Sequence, residues 1–284
     1  MENELAIGID IGGTSTRVAL IENGLIFDSR SEPTPPSGDP DRLSELLAKH
    51  VADVRSSYDG LDPSARFPTG VALPGIRDPL SGIMRRCLNL PRLEGLDMTQ
   101  FFRHALGQAV LIETDVNAAA FAQWEALAPR PARFLYLSIG TGIGGAVLLD
   151  GQLLRHTNNS AGHFGFLVVD TSATAHSGRT GVPGCLEALA AGPVIARADS
   201  VGRKAAAQAV AIGLQQLTSV YQPDMIALGG GAIDNFRDWF IQIEDAFADR
   251  PTAALRDAPQ LIRAPLRSDD AGVIGVAALA RRTD

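Results

Sequence analysis

At 284 residues the chain exceeds the roughly 100–200 residues of a single domain, so two domains with a sizeable core are expected. Its 45% hydrophobic and 20% charged content excludes a disordered or fibrous chain, and a net charge of −7 offers no basic field to nucleic acid or anionic membranes. Cys87 and Cys185 are too few for a disulfide framework and read as free thiols.

The opening Met1 to Gly13 lacks the basic segment and long apolar run of a secretory signal, and no stretch reaches about 20 apolar residues, so a cytoplasmic protein is expected. Leu5 to Asp10 and Arg17 to Glu22 read as two strands joined by a tight glycine turn. Pro33, Pro35, Pro36 and Pro40 mark a loop, after which Leu43, Leu46, Leu47, Val51 and Val54 recur at helical spacing. A strand from Pro68 to Leu73 stops at Pro74-Gly75, a loop covers Leu88 to Leu96, and Met98 to Leu106 forms a helix. Ala109 to Glu113 is a further strand, feeding Asp115 and an alanine-rich helix from Asn117 onward.

Phe134 to Ile139 and Gly144 to Leu149 repeat the opening strand, glycine turn and strand, an internal echo that suggests two related lobes. Ala205 to Tyr221 is a long helix, Met225 to Leu228 a buried strand, and Gly229 to Gly231 a turn into a helix near Asn235. Ala271 to Arg281 supplies a closing helix, and the alternation throughout is α/β.

Three glycine runs and one carboxylate carry the chemistry. In Asp10-Ile11-Gly12-Gly13-Thr14, glycines let backbone N–H groups approach a phosphate, the Thr14 hydroxyl can donate to it, and Asp10 can hold magnesium directly or through water. By itself the stretch also admits a lesser reading, a hairpin turn with a solvated aspartate. Gly140-Thr141-Gly142-Ile143-Gly144-Gly145 is dense enough for a dinucleotide fingerprint, but it continues as strand instead of opening a helix, so it reads as a second phosphate-binding hairpin. Gly229, Gly230 and Gly231 offer backbone that can lie flat against an adenosine, or form a plain helix-entry turn. Asp115, at the end of a strand, is placed to accept the proton of an attacking hydroxyl, although capping the following helix is an equal reading of the spacing.

These residues resemble the ROK group (repressor, open reading frame, kinase) of bacterial sugar kinases. The resemblance runs through Asp10 to Thr14, Leu73-Pro74-Gly75, Thr114 to Ala120, Gly140 to Gly145, Ala161-Gly162, Gly184 to Glu187, Leu228 to Gly231 and Asp270-Ala271-Gly272. It implies the two-lobed actin-like ATPase (ribonuclease-H-like) fold with a cleft between the lobes, residues 1–114 with 270–284 making the smaller lobe and 115–269 the larger. It further implies ATP and Mg2+ as cofactors, Asp115 as general base, and phosphates held at Gly12-Gly13-Thr14 and Gly140-Thr141-Gly142. Gly75, Thr114, Asp115, His163 and Glu187 fall at the sugar. The expected reaction is phosphorylation of a hydroxyl, the primary alcohol, of a hexose or sugar-like polyol by a homodimer.

Departures from the pattern are equally specific. Thr114 stands where the family has asparagine, and His163 stands where a sugar-contacting glutamate is usual, exchanging a pure acceptor for a side chain that donates as well. The four zinc-ligand positions of the family carry Phe166, Gly178, Thr180 and Cys185, and one thiol cannot complete tetrahedral ligation, so no zinc site is expected. Two other functional classes remain: a catalytically weak sugar- or nucleotide-binding pseudokinase, motivated by Thr114, His163 and Phe166, and a sugar-responsive regulator, which needs a DNA-binding module ahead of the strand at Leu5.

Overall fold

The computed structural model describes residues 4–62, 65–155, 162–172, 175–250 and 258–282. They fall into two compact units, one within Met1–Ala122, Arg155–Ser160 and Asp269–Asp284, the other within Gln123–Leu154 and Ala161–Ser268. The first change of unit thus falls inside a helix, eight residues beyond the 114/115 boundary read from the sequence (122 − 114 = 8).

In the first unit, strands β1 (Leu5–Ile11), β2 (Ser15–Glu22) and β3 (Leu25–Pro33) form an antiparallel meander. After helix α1 (Pro40–Ser56), β4 (Thr69–Ala72) joins β1 in parallel. A small hairpin, β5 (Ile76–Arg77) with β6 (Met84–Arg86), and helix α2 (Met98–Leu106) lead to β7 (Leu111–Glu113), parallel to β4. The sheet order is β3-β2-β1-β4-β7. Helix α3 (Asp115–Glu125) leaves β7 directly.

The second unit repeats this plan. Strands β8 (Arg133–Ile139), β9 (Ile143–Leu149) and β10 (Gln152–Leu153) pair antiparallel. Helices α4 (Leu186–Ala190), α5 (Gly192–Arg197) and α6 (Ser200–Tyr221) precede β11 (Met225–Gly229), which runs parallel to β8. Helices α7 (Gly231–Asn235) and α8 (Arg237–Ala248) then lead to β12 (Gln260–Arg263), parallel to β11. The order β10-β9-β8-β11-β12 reproduces that of the first sheet, the physical content of the echo seen in the sequence. Helix α9 (Ser268–Arg281) closes the chain.

Burial explains the layering. Leu43, Leu47 and Val54 of α1 and Phe102 of α2 pack on Ile7, Ile9, Val18, Leu20 and Val71 of the first sheet. Helix α9 lies so close that a Cβ added at Gly8 would sit 2.0 Å from the Val273 carbonyl oxygen, and one at Gly70 would sit 2.2 Å from that of Val276. Glycine at both positions is what lets the helix approach the strands. In the second unit, α6 and α8 bury Leu214, Leu217, Trp239 and Ile243 with Leu135, Leu137, Ile226 and Leu228. Among the described residues no helix is long and apolar enough to cross a membrane. Cys87 and Cys185 are both buried free thiols.

Several elements depart from the sequence reading: the β5–β6 hairpin, β10, β12, α4 and α5 were not expected, and α6 starts at Ser200 rather than Ala205. Strand β3 was not expected, because its segment is polar and half-exposed; its signal is Asn23-Gly24, both at positive φ, the dipeptide of a tight hairpin. Helix α3 starts at Asp115 rather than Asn117, because the Thr114 hydroxyl accepts from Asn117 N at 3.3 Å and caps the first turn. The helix expected near Asn235 is α8, which starts at Arg237; the short α7 before it was not expected and breaks at Phe236, whose φ of −119° and ψ of 74° are not helical.

Candidate active site

Register sets the carboxylates. Asp10 of β1 pairs with Ala72 of β4, and Ala72 pairs with Glu113 of β7, so the three stand in one row at the carboxyl ends of parallel strands. In open α/β sheets that edge is where ligands bind. Asp115 follows two residues beyond the strand end, as the first residue of α3. Its Oδ1 accepts from Val116 N at 2.9 Å.

The two aspartates share an electrostatic environment. Burial, then the negative charge of Asp115, pushes the Asp10 carboxyl up to about 7 against the pull of Arg17. Desolvation by the surrounding protein also raises the Asp115 carboxyl, opposed by its backbone hydrogen bonds, although the residue keeps an exposed face. Arg17, opposite Asp10 in the β1–β2 ladder, donates Nη1 to the Asp269 carbonyl and to Asp270 Oδ1, both at 2.6 Å. A Cβ at Gly272 would lie 2.3 Å from Asp10 Oδ2, so the glycine of Asp270-Ala271-Gly272 makes room for this carboxylate.

The first glycine turn is braced from behind. Gly12 N donates to Ser15 O at 2.8 Å, while Thr34 donates its hydroxyl to Gly12 O at 2.7 Å and its N–H to Thr14 O at 3.0 Å. Gly13 abuts Asn89, leaving 2.8 Å between an added Cβ and the Asn89 Cβ. Gly13 and Thr14 remain exposed. Thr34 and Asn89 were missed in the sequence, where one is hidden in a proline run and the other in a loop. Gly75, at φ 105°, presses on the Arg86 carbonyl, and Cys87 Sγ donates to the neighbouring Pro74 O at 3.3 Å.

In the second unit the Gly140 to Gly145 turn closes through Gly140 N to Gly142 O at 2.9 Å, with Thr141 exposed. Gly192 N, at the start of α5, donates to Gly140 O at 2.8 Å. Glu187 of α4 is half-buried and accepts from Ile143 N at 2.9 Å, so one carboxylate oxygen serves the turn itself. His163 is exposed, its ring edge-on to the half-exposed Phe166 at 6.2 Å. Ala161 lies outside the described residues. Gly229 and Gly230 are buried against Tyr136 and Ile139, which leaves Gly231, at the start of α7, as the accessible member of the third run. At the positions of the family's zinc ligands, Thr180 Oγ1 and Cys185 Sγ share a hydrogen bond at 3.0 Å.

Comparison with known proteins shows the family and the fold. N-acetylmannosamine kinase of Salmonella typhi is 28% identical over 97% of this chain and 98% of its own length. The ROK hexokinase of Thermus thermophilus superposes with a TM-score of 0.81 at 28% identity, covering 99% of this chain and 100% of that one. A ROK family glucokinase from Streptomyces griseus, solved with glucose and AMPPNP, shares the fold at 23% identity and a TM-score of 0.78, covering 98% and 99%. The fold is therefore the actin-like ATPase fold of these kinases. Since the model of the ROK family also matches residues 6–204, the greater part of the sequence, this chain belongs to the ROK family.

Proposed function

We propose that this protein is an ATP-dependent sugar kinase that acts in the cytoplasm as a homodimer. The observation that carries the reading is the row Asp10–Ala72–Glu113, which sets two carboxylates with raised proton affinity, Asp10 and Asp115, at one sheet edge beside an exposed glycine turn. Family membership and the likeness to kinases acting on N-acetylmannosamine and hexoses support it.

Asp115 accepts the proton of the sugar hydroxyl as its oxygen bonds to the γ-phosphorus of ATP and the bond to the β-phosphate oxygen breaks, releasing ADP. The carboxyl, raised above the ordinary aspartate value by its desolvating surroundings, is a better base than a fully solvated one. In the Gly12-Gly13-Thr14 and Gly140-Thr141-Gly142 turns, the amides of Gly12 and Gly140 close the turns themselves, and the exposed Gly13, Thr14 and Thr141 supply donors to phosphate oxygens. Asp10 fits a divalent cation, because burial and the charge of Asp115 strain it in a way a cation relieves. Magnesium held there, directly or through water, supplies charge against the phosphates.

Gly75, Thr114, His163 and Glu187 form the proposed sugar contacts. Thr114 already uses its hydroxyl as a helix cap, and Glu187 one oxygen on the second turn, so each has reduced capacity for a sugar hydroxyl. The exposed His163–Phe166 pair offers a donor beside an apolar wall, which suits an acylated or deoxygenated sugar.

ATP consumption over a panel including N-acetylmannosamine, glucose, mannose and polyols, beside a nucleotide-binding assay, tests the reading. Sugar-dependent ADP release supports it. Nucleotide binding with no turnover on any member would favour a pseudokinase, the reading that the altered Thr114 and His163 motivate.

A further inference from the structure

Glu113 and Asn117 are only 5% and 6% exposed, two buried polar side chains for which the mechanism above has no use. Glu113 Oε1 accepts from its neighbour Thr114 N and from Asn117 Nδ2, both at 2.9 Å. Its Oε2 takes the fork of Arg155, Nε at 2.9 Å and Nη2 at 2.7 Å, from 42 residues further along the chain. Four donors thus converge on one carboxylate.

The bonded residues bracket Asp115, one directly before it and one two positions after. The backbone of the joint is held by Leu73 N to Glu113 O at 2.9 Å and Ala118 N to Thr114 O at 3.0 Å, but β7 has only three residues and the Thr114 side-chain cap is long at 3.3 Å, so the Glu113 carboxylate supplies the main side-chain tie. A buried ion pair is a poor source of stability, since desolvation offsets most of its Coulomb energy, but its geometry is demanding. Arg155 remains 43% exposed in its side chain, whereas Glu113 is 4% exposed, so the carboxylate is the fixed element and the guanidinium sets its rotation.

We propose that Glu113 is the positioning residue for Asp115, stitching the end of β7 to the first turn of α3, with Arg155 locking it in that orientation. This rests on the reading of Asp115 as base. Glu113 touches no reacting atom; it holds the backbone from which Asp115 projects, and a small displacement of a general base lowers turnover more than binding.

Glu113→Gln tests it with the panel sugar that the wild type turns over fastest. Glutamine keeps Oε1 for Thr114 N and Asn117, but sets an NH2 donor against the two donors of Arg155. Expected is a fall in kcat on the order of 10- to 100-fold with the KM for ATP within about twofold. The double variant Glu113→Gln/Arg155→Met removes the opposed donors and recovers most of that loss. Melting temperature is measured on each, and Asp115→Asn is run alongside. Wild-type kcat in Glu113→Gln, with turnover lost in Asp115→Asn, overturns the positioning role and leaves the base intact. Undiminished turnover in Asp115→Asn removes the base role, and no sugar turned over by the wild type removes the kinase reading; either result overturns this proposal. A kcat loss not recovered in the double variant also overturns it. Should Glu113→Gln not fold, Arg155→Met decides: a lowered kcat supports the proposal and an unchanged one overturns it.

Discussion

Glu187 Oε2 accepts a hydrogen bond from the backbone N–H of Ile143 at 2.9 Å, which ties α4 to the glycine turn between β8 and β9. A residue expected to serve the sugar therefore also shapes the turn proposed to hold phosphates. Glu187→Ala is predicted to raise the KM for ATP as well as for sugar, by about tenfold each, because the loop amide loses a charged acceptor worth roughly 1.5–3 kcal/mol. Glu187→Gln, which keeps an acceptor for Ile143, should spare ATP and alter sugar alone. Gly142→Ala should resemble Glu187→Ala, since its Cβ would lie 2.5 Å from Glu187 Oε2. Steady-state kinetics with each substrate varied separate these outcomes.

Asp10 is predicted to trade stability for function. Its folded carboxyl titrates near 7 against 3.8 for the free group, so between about pH 4 and pH 7 the folded state holds a proton that the unfolded chain has lost. Stability in magnesium-free buffer therefore falls as pH rises through that window and levels off above it. Asp10→Asn removes this penalty and should melt several degrees higher than wild type at pH 8, while its magnesium and ATP dependence is badly weakened. Thermal melts at pH 5 and pH 8 check the sign: the gain should be larger at pH 8.

No stoichiometric zinc is predicted, because Thr180 bonds Cys185 at a ligand position and Phe166 and Gly178 stand at the others. The surrounding loop is instead held by backbone bonds such as Val169 N to Gly184 O and Leu186 N to Leu167 O, both 2.8 Å. Elemental analysis should find well under one zinc per chain, and chelator should leave the melting temperature unchanged.

His163→Glu is predicted to shift the substrate profile toward glucose-like sugars while leaving the KM for ATP nearly constant. Exchanging a donor for an acceptor mismatches one sugar hydroxyl, a cost on the order of 1–3 kcal/mol or about 5- to 150-fold in kcat/KM. Relative kcat/KM over the panel measures it; an unchanged profile would make His163 a surface residue of its loop.

The sequence was most legible where a residue's role depends on near neighbours. The glycine turns at Gly12 and Gly140, the strands beside them and the helix over Met98–Leu106 all follow from local patterns, and the helix is sharply bounded because Asp97 caps it through Thr99 N and Gln100 N while Gly107 ends it at φ 67°. Roles that depend on distant partners were hidden. Thr34 behind the first turn, Arg155 on Glu113 and Gly272 beneath Asp10 are 22, 42 and 262 positions from what they serve, and no period or spacing announces them. Gly229 and Gly230 show the converse: in a glycine run that reads as ligand-facing, these two are buried because Tyr136 and Ile139 need the space, and Gly231 alone stays accessible.

Asp115→Asn tests the central claim most directly. The amide keeps the size of the side chain and an acceptor for Val116 N, so the protein should fold and bind sugar and nucleotide nearly as the wild type does. Loss of the base should lower kcat by roughly 100- to 10,000-fold, read in one ADP-release assay beside calorimetric binding of the same sugar. Retained binding with collapsed turnover is the predicted result, and turnover near that of the wild type would contradict the account.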